Sequence, residues 1–561
     1  MSREFKDTVT SLIRDIIKEE GLSKQDLYID IEFPKEKQFG DWSINVAMKL
    51  AKECRKRPLD IAELLAARLR EKLMASGYDK KIEKIEVKSP GYINIFFSNE
   101  ALDDILKLIQ EKKNDFGRSN IGNAQKILIE FVSANPTGPL SIAHARQAAV
   151  GDTLANIMSF CGYEVTREYY INDEGNQIKN LGLSLQARYL QALGRKDAEL
   201  PADGYKGEYL VSMAEDIVKS KKDAYAHSDD KTLQFFSEYA ATEILREINN
   251  ELSDFGVSFD TWFSQKQLAQ SGEINKVFAV LKDGGYLYEE DGATWFKSTV
   301  FGDDKDRVLI KSDGQFTYLT PDIAYHRLKF ARGFEKLINI LGPDHHGYIN
   351  RLKAAVCALG RKKDDLSVLI IQLATLFRDG KPVVMSTRAG EYITLRELMQ
   401  EVGRDASRFF FLMRRCDSHL EFDLELAKKQ SLENPVYYIQ YAYARISGIA
   451  EVIRSGENKK IFEDTALDLA LLREEETLDL IRKLNLFPEV LITCSLSLEP
   501  HGLTTYLREL AGCFHAFYNK YRVYSEENLP LSKARFVLVD CVRQVLYTGL
   551  RLVGVGSPER M

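Results

Sequence analysis

Nowhere in its 561 residues does the chain hold an apolar run of the roughly 18 residues that a membrane-crossing helix needs, so no transmembrane segment is expected. Paired cysteine spacing is missing as well. The seven cysteines (Cys54, Cys161, Cys357, Cys416, Cys494, Cys513 and Cys541) include no CxxC and are odd in number. That argues against a disulfide-stapled secreted scaffold and against a structural zinc site, and fits reduced, mostly buried thiols in the cytoplasm. A basic excess is also missing: a formal net charge of −6 is not that of a protein coated in basic surface for nucleic acid. The first twenty residues are charged throughout and amphipathic, unlike a secretory leader.

What is present is the composition of a soluble globular protein. Hydrophobic residues make up 45% and charged residues 29%, and the length suits about two to four domains. Residues 51–100 hold 11 Lys and Arg against 8 Asp and Glu, and residues 501–561 hold 8 against 5, a surplus of three in each. Basic bias at two places suits a chain that grips a long polyanion, although ordinary fluctuation explains such counts equally well.

The rest of the chain is organised around residues 126–146, KILIEFVSANPTGPLSIAHAR. An apolar run from Ile127 to Val132, broken only by Glu130, ends in Ser133, Asn135, Pro136, Gly138 and Pro139. This predicts a buried parallel strand followed by a tight loop. Helical spacing then runs from about Ser141 to Cys161, where Gly162 supplies a stop. Strand, loop and helix start form the first unit of a doubly wound sheet, whose crevice lies at the carboxyl ends of the strands. The helix start aims backbone donors at an anion there, typically a nucleotide phosphate.

Asn135-Pro136-Thr137-Gly138-Pro139-Leu140 and Ser141-Ile142-Ala143-His144-Ala145-Arg146 together resemble the class I aminoacyl-tRNA synthetase loop that carries the His-Ile-Gly-His signature. Further on, Val384-Met385-Ser386-Thr387-Arg388-Ala389-Gly390 resembles the second class I signature, Lys-Met-Ser-Lys-Ser, in the Arg-Ala-Gly form of the arginyl-tRNA synthetases. The resemblance implies a multidomain α/β chain with a Rossmann-type parallel-sheet catalytic domain. Its boundaries are expected at 116–405, with an insertion over about 178–300. Residues 1–115 would be a small N-terminal α+β domain touching the outer corner of tRNA, and 406–561 an all-α anticodon-binding bundle.

In chain order, Phe5, Val9, Leu12, Ile13, Ile16 and Ile17 predict an amphipathic helix. A strand is expected over Tyr28–Phe33, helices over Asn45–Lys56 and, opened by Pro58, over Leu59–Met74, then strands over Ile82–Val87 and Tyr92–Phe97. Gly40-Asp41-Trp42 and Gly91-Tyr92-Ile93-Asn94 carry the resemblance to the family's N-terminal domain. A second parallel strand, Tyr163–Ile171, leads to the polar loop Asn172–Gln177, which by resemblance faces substrate. Residues 178–260 predict helices, a hairpin-rich flap follows Gly285, and strands resume at Leu337–Leu341 and Val368–Gln372. Thr394-Leu395-Arg396-Glu397 is a capping box. From Asp405 on, helices rich in Tyr and Phe are expected; such rings can stack on unpaired bases but more often form core.

Arginine presents a planar guanidinium that a carboxylate can meet with two hydrogen bonds. Glu130, inside an apolar strand, needs a partner or a ligand there; a structural salt bridge is the plainer reading. Asp322 lies four residues after Tyr318, with Pro321 suited to a first helical turn and Thr320 a possible N-cap. By resemblance, Glu130, Ser133, Asn135, Tyr318 and Asp322 hold arginine. By the same resemblance Pro139, Ala143, His144, Asp344, His345, Met385 and Ser386 meet ATP, and His144, Ser141, Lys381 and Arg388 serve catalysis. Adjacent His345 and His346 point different ways, so no metal ligands are expected on the protein itself. Both signatures depart from their pattern: Ser141 and Ala143 replace His and Gly in the first, and Val384 replaces the leading Lys of the second, with Thr387 in its fourth place. Lys381, Arg388 and Lys126 are the candidate replacement cations.

The expected function is ATP- and Mg²⁺-dependent attachment of L-arginine to tRNA(Arg), by a cytoplasmic monomer that does not bind membranes. Two alternatives stay open: a non-catalytic tRNA-binding homologue, and a class I synthetase for lysine.

Overall fold

The computed structural model describes residues 3–561 apart from 26, 35, 196, 228, 384–391, 456–458, 460, 461 and 464. Its first helix, Arg3–Glu19, buries Phe5, Val9, Ile13, Ile16 and Ile17, the stripe that helical spacing requires. These side chains pack on an antiparallel sheet of β1 (Ile31–Glu32), β2 (Trp42–Ile44), β3 (Ile82–Lys88) and β4 (Tyr92–Phe97), ordered β1-β2-β4-β3. The strand expected over residues 28–33 contracts to the two residues that pair with β2. At Gly40 a Cβ would meet the Ile95 carbonyl oxygen at 2.7 Å, so the tight entry into β2 requires glycine.

The central sheet is wholly parallel. It contains β5 (Lys126–Glu130), β6 (Glu164–Ile171) and β7 (Thr261–Ser264). β8 (Leu287–Glu290), β9 (Ala293–Phe296) and β10 (Arg307–Ile310) form a separate antiparallel flap before β11 (Lys336–Leu341) and β12 (Leu366–Ile370) rejoin the central sheet. The strand order is β12-β11-β5-β6-β7. The chain thus winds outward from β5 in one direction and returns on its other flank, placing the topological switch between β5 and β11. Ligands of such sheets bind at the carboxyl ends of the strands beside that point. The expected single insertion over about 178–300 is interrupted: helices Asn176–Ala192, Tyr209–Lys221 and Asp230–Asp254 give way to β7, which pairs with β6 in the central sheet.

A third sheet holds β13 (Ala374–Arg378), β14 (Lys381–Pro382) and β15 (Leu420–Asp423). The expectation that the chain is all helical from Asp405 on fails at β15, where Leu420 and Phe422 point inward and Glu421 and Asp423 outward. Four residues of period-two alternation are too few to stand out from helical sequence. Helices Pro435–Arg454, Glu475–Asn485, Phe487–Ser497, His501–Lys520 and Leu529–Leu552 complete the chain.

Ion pairs tie the terminal domains together. Arg473 grips Asp103 with two bonds of 3.0 and 2.9 Å, and Arg482 Nε reaches Asp41 at 2.8 Å. Arg408 is fully buried where three parts of the chain meet. It donates to the carbonyls of Val553 (3.0 Å) and Phe255 (3.1 Å) and to Asp152 at 2.6 Å. Arg408→Met leaves Asp152 and these carbonyls poorly satisfied, so it is expected to destabilise the protein by about 3–5 kcal/mol, read as a lowered thermal midpoint.

Candidate active site

β5 ends at Glu130, and the chain leaves it through two non-glycine residues in the left-handed region, Val132 (φ 67°) and Ser133 (φ 41°). For a β-branched valine that conformation is strained, and strain of this kind persists where surrounding contacts hold it. Here the holders are explicit. Tyr170 N–H donates to Ser133 Oγ at 3.1 Å, and Tyr169 Oη donates to the Ala134 carbonyl at 2.8 Å. Tyr209 Oη donates to Thr137 O at 2.6 Å, and Asn135 Nδ2 donates to Gln177, in the first turn of the helix Asn176–Ala192, at 2.7 Å.

The helix Ile142–Phe160 then begins, with Ser141 as N-cap. Ser141 N–H donates to His144 Nδ1 at 3.2 Å. Burial pulls the His144 pKa down to about 4, so the ring is neutral and carries its proton on Nε2. A neutral donor at a helix N-terminus is suited to an anionic oxygen. Ala143 sits half-buried in the same first turn, and Pro139 and Leu140 lead into it.

The segment after the second signature returns to this loop. Tyr392 Oη donates to Pro139 O at 3.1 Å, Leu395 N–H donates to Leu140 O at 2.9 Å, and Ser141 bridges Thr394 in antiparallel fashion. Thr394 caps its helix through Glu397, as the capping box predicts. Met385, Ser386 and Arg388 lie outside the described residues. Lys381 is exposed in the β13–β14 hairpin that leads towards them. Lys126 sits at the opening end of β5, a strand's length from the signature loop, beside Glu164 at 3.9 Å; it cannot serve as the replacement cation.

Glu130 is buried with a protein partner, Lys329 Nζ, 2.5 Å from Oε2. Its burial therefore does not by itself demand a ligand, and the salt-bridge reading is correct as far as it goes. The other oxygen, Oε1, accepts from Ser133 Oγ at a long 3.4 Å. Asp322 lies in the helix Leu319–Ala331 and accepts from Tyr348 Oη at 2.5 Å. Burial raises its pKa to about 7, the Tyr348 bond works against that rise, and the Glu130 charge adds to it. Thr320 is not the N-cap: it is the second helical residue, and its hydroxyl donates to Leu309 O at 2.8 Å. Tyr318 is 88% exposed, at the rim rather than inside. Asp344, His345 and His346 are exposed in the turn Pro343–Tyr348 that follows β11, with Asp344 and His345 3.5 Å apart.

Sequence reading missed the layer beneath these groups. Asn339, Glu130 and Glu168 stand side by side in register on β11, β5 and β6. The helix Leu319–Ala331 covers them. Tyr325 Oη donates to Glu168 at 2.6 Å, Asn339 Nδ2 donates to His326 Nε2 at 2.9 Å, and Arg332, just past the helix end, reaches Glu168 at 2.5 Å. His326 and Lys329 follow Asp322 at spacings of four and seven, one helical face; polar residues in an otherwise apolar stripe were the available signal.

Two other cavities collect aromatic and polar groups. One of about 910 Å³, among the C-terminal helices, is lined by Tyr441, Arg445, Tyr518, Tyr521, Tyr524 and Met561. Arg445 lies over the rings of Tyr441 and Tyr518 at 5.6 and 5.2 Å, whereas Tyr443, Phe514 and Phe517 are buried core. The other, about 380 Å³ on the N-terminal domain, is lined by Phe39, Tyr92 and Asn94 among others. Asn94 Nδ2 has no partner among the described residues.

A parallel sheet with a phosphate-suited strand–loop–helix at its switch point, joined there by residues 392–395 from far along the chain, is the arrangement of a class I tRNA synthetase catalytic domain. The family model "tRNA synthetases class I (R), catalytic domain" matches residues 104–415; "Arginyl tRNA synthetase N terminal domain" matches 5–97, and "DALR anticodon binding domain" matches 439–561. An arginine–tRNA ligase 1 of Halalkalibacterium halodurans is 48% identical over 100% of this chain and 99% of its own length. That of Geobacillus kaustophilus is 46% identical over 100% and 99%. A Campylobacter jejuni structure described as an arginyl-tRNA synthetase superposes with a TM-score of 0.76 at 33% identity, covering 83% of this chain and 100% of its own. The Thermus thermophilus arginyl-tRNA synthetase shares the fold, with a TM-score of 0.78 at 21% identity over 99% and 100% of the two chains. The chain belongs to the arginyl-tRNA synthetase family.

Proposed function

We propose that the chain attaches L-arginine to tRNA(Arg) in two steps. The arginine carboxylate attacks the α-phosphorus of ATP, delivered with Mg²⁺, and pyrophosphate leaves. The terminal ribose 2′-hydroxyl of tRNA then attacks the arginyl carbonyl, and AMP leaves. The observation that carries this reading is the return of the segment that follows the second signature, at Thr394, onto Ser141 of the first, at the switch point beside two carboxylates, Glu130 and Asp322. ATP phosphates would lie at the start of the helix Ile142–Phe160, where the backbone donors and His144 Nε2 favour negative charge. Glu130 and Asp322 would take the guanidinium, Asn135 and Ser133 the amino-acid end, and Tyr318 would close the rim. Asp344 and His345 would flank the nucleotide.

The tRNA would be gripped at both ends of the protein. Unstacked anticodon bases suit the Tyr- and Arg-lined cavity of the helical domain, and a base from the outer corner suits the Phe39–Tyr92–Asn94 cavity. A single chain carries every site this scheme needs, which supports a monomer. No disulfide is found among the described residues, in keeping with a cytoplasmic setting.

Arginine-dependent ATP–pyrophosphate exchange, with and without tRNA(Arg) and with lysine as control, tests the reading. Exchange with arginine and not lysine supports it; tRNA binding with no exchange under any condition overturns it. With the leading signature lysine replaced by Val384, one of Lys381→Ala and Arg388→Ala is expected to slow exchange by about 10²–10³-fold. If both variants retain full rate, neither residue is the relocated cation.

A further inference from the structure

Lys329 is wholly buried, yet it carries a charge beneath the candidate arginine pocket. Its Nζ is held by Glu130 Oε2 at 2.5 Å, by Asn339 Oδ1 at 3.5 Å and by the face of Tyr325, 4.0 Å from the ring centroid. Asn339 in turn fixes His326, whose Nδ1–H donates to the Asp322 carbonyl at 2.7 Å. A buried chain, Glu130–Lys329–Asn339–His326, therefore runs from the Glu130 carboxylate to the backbone carbonyl of Asp322. The Glu130 charge faces Asp322 and raises its affinity for a proton, and the Lys329 charge lowers it. A guanidinium needs both ionised.

We infer that Lys329 is a positioning residue for arginine: it holds one oxygen of Glu130, leaves the other for the guanidinium, and offsets the Glu130 charge that faces Asp322. This inference rests on the assignment of Glu130 and Asp322 to the arginine site. The groups that face Asp322 are Tyr348 from the segment after β11, Glu130 from β5, Tyr170 from β6, and Lys329 on its own helix. Of these, Lys329 alone is a cation, and its charge lowers the Asp322 pKa while that of Glu130 raises it.

The test is the arginine dissociation constant by equilibrium dialysis from pH 5.5 to 9, which reads the free enzyme directly. In the wild type, affinity falls on the acid side as Asp322 takes up its proton. Lys329→Met is expected to weaken binding at least about tenfold at the alkaline plateau and to move the acid limb to higher pH. Lys329→Arg, which keeps the charge but misplaces it, weakens binding and leaves the limb in place. Loss of packing alone would weaken binding at every pH without moving the limb, and that outcome overturns the inference. Should Lys329→Met not fold, Glu130→Gln and Glu130→Gln/Lys329→Met carry the comparison without a buried orphan carboxylate. The double variant's limb is expected above that of the single, and coincident limbs overturn the inference. Glu130→Gln and Asp322→Asn serve as controls for the underlying assignment: if neither weakens arginine binding, the arginine site lies elsewhere, a failure distinct from an unmoved limb.

Discussion

Replacing His144 by alanine is expected to slow arginyl-adenylate formation by about 10²–10³-fold, with the affinity for arginine little changed. The argument begins with the proton. Ser141 N–H occupies Nδ1, so a neutral ring must carry its hydrogen on Nε2, and burial keeps the ring neutral by holding its pKa at about 4. His144 is thus a fixed dipole at a helix N-terminus, and in the proposed reaction it would face the α-phosphate as pyrophosphate leaves. Because it does not titrate near neutrality, it contributes no limb to the pH–rate profile between about pH 6 and 9. Two further substitutions separate its duties. His144→Gln can present an amide donor near the place of Nε2 and should retain more activity than His144→Asn, which keeps an acceptor for Ser141 N–H and loses the outward donor. Pre-steady-state adenylate formation distinguishes them, and equal rates in Asn and Gln variants would assign His144 a capping role alone.

The strand, loop and helix at 126–160 are legible in the sequence because they combine a short apolar run, a Pro/Gly punctuation and a helix with its own stop, each a local signal. The first signature gave His144 for the same reason. The sheet order is not local. Nothing in the run Thr261–Ser264 says that it will leave a helical insertion to pair with β6, nor does Leu420–Asp423 announce a partner in β13; such short strands are chosen by the edge that awaits them. Glu130 shows the same limit at the level of a side chain. Its burial was readable from Ile127, Leu128 and Ile129 around it, but its partner, Lys329, stands 199 residues away and becomes visible only when a helix lies across the sheet. Thr320 failed as a cap because the helix starts at Leu319, two residues before Pro321, and its hydroxyl finds Leu309 instead.

Asp322→Asn should reduce the catalytic efficiency for arginine by about 10²–10³-fold, since it removes one charge of a desolvated pair, and should at the same time make the free protein more stable at alkaline pH. The second half follows from linkage. The carboxyl of Asp322 has a folded-state pKa of about 7 against an ordinary value of 3.8, so the native state binds its proton more tightly than the unfolded chain does. Stability from that proton is fully present below about pH 4 and is lost as pH rises through about 7. Above pH 7 the empty pocket holds an ionised, half-buried carboxylate beside Glu130, and the protein bears the cost in full. Asparagine matches the shape without the charge. Its advantage should be absent below about pH 4, grow between about pH 4 and 7, and level off above that on the order of 1–2 kcal/mol once solvent screening is allowed for. Saturating arginine should reverse the ranking, because its guanidinium neutralises the wild-type carboxylate and binds the variant poorly. Thermal midpoints of both proteins at pH 5 and pH 8, with and without arginine, check all four corners. An asparagine variant less stable than wild type at pH 8 without arginine would mean that Asp322 serves the fold, through Tyr348, rather than the substrate.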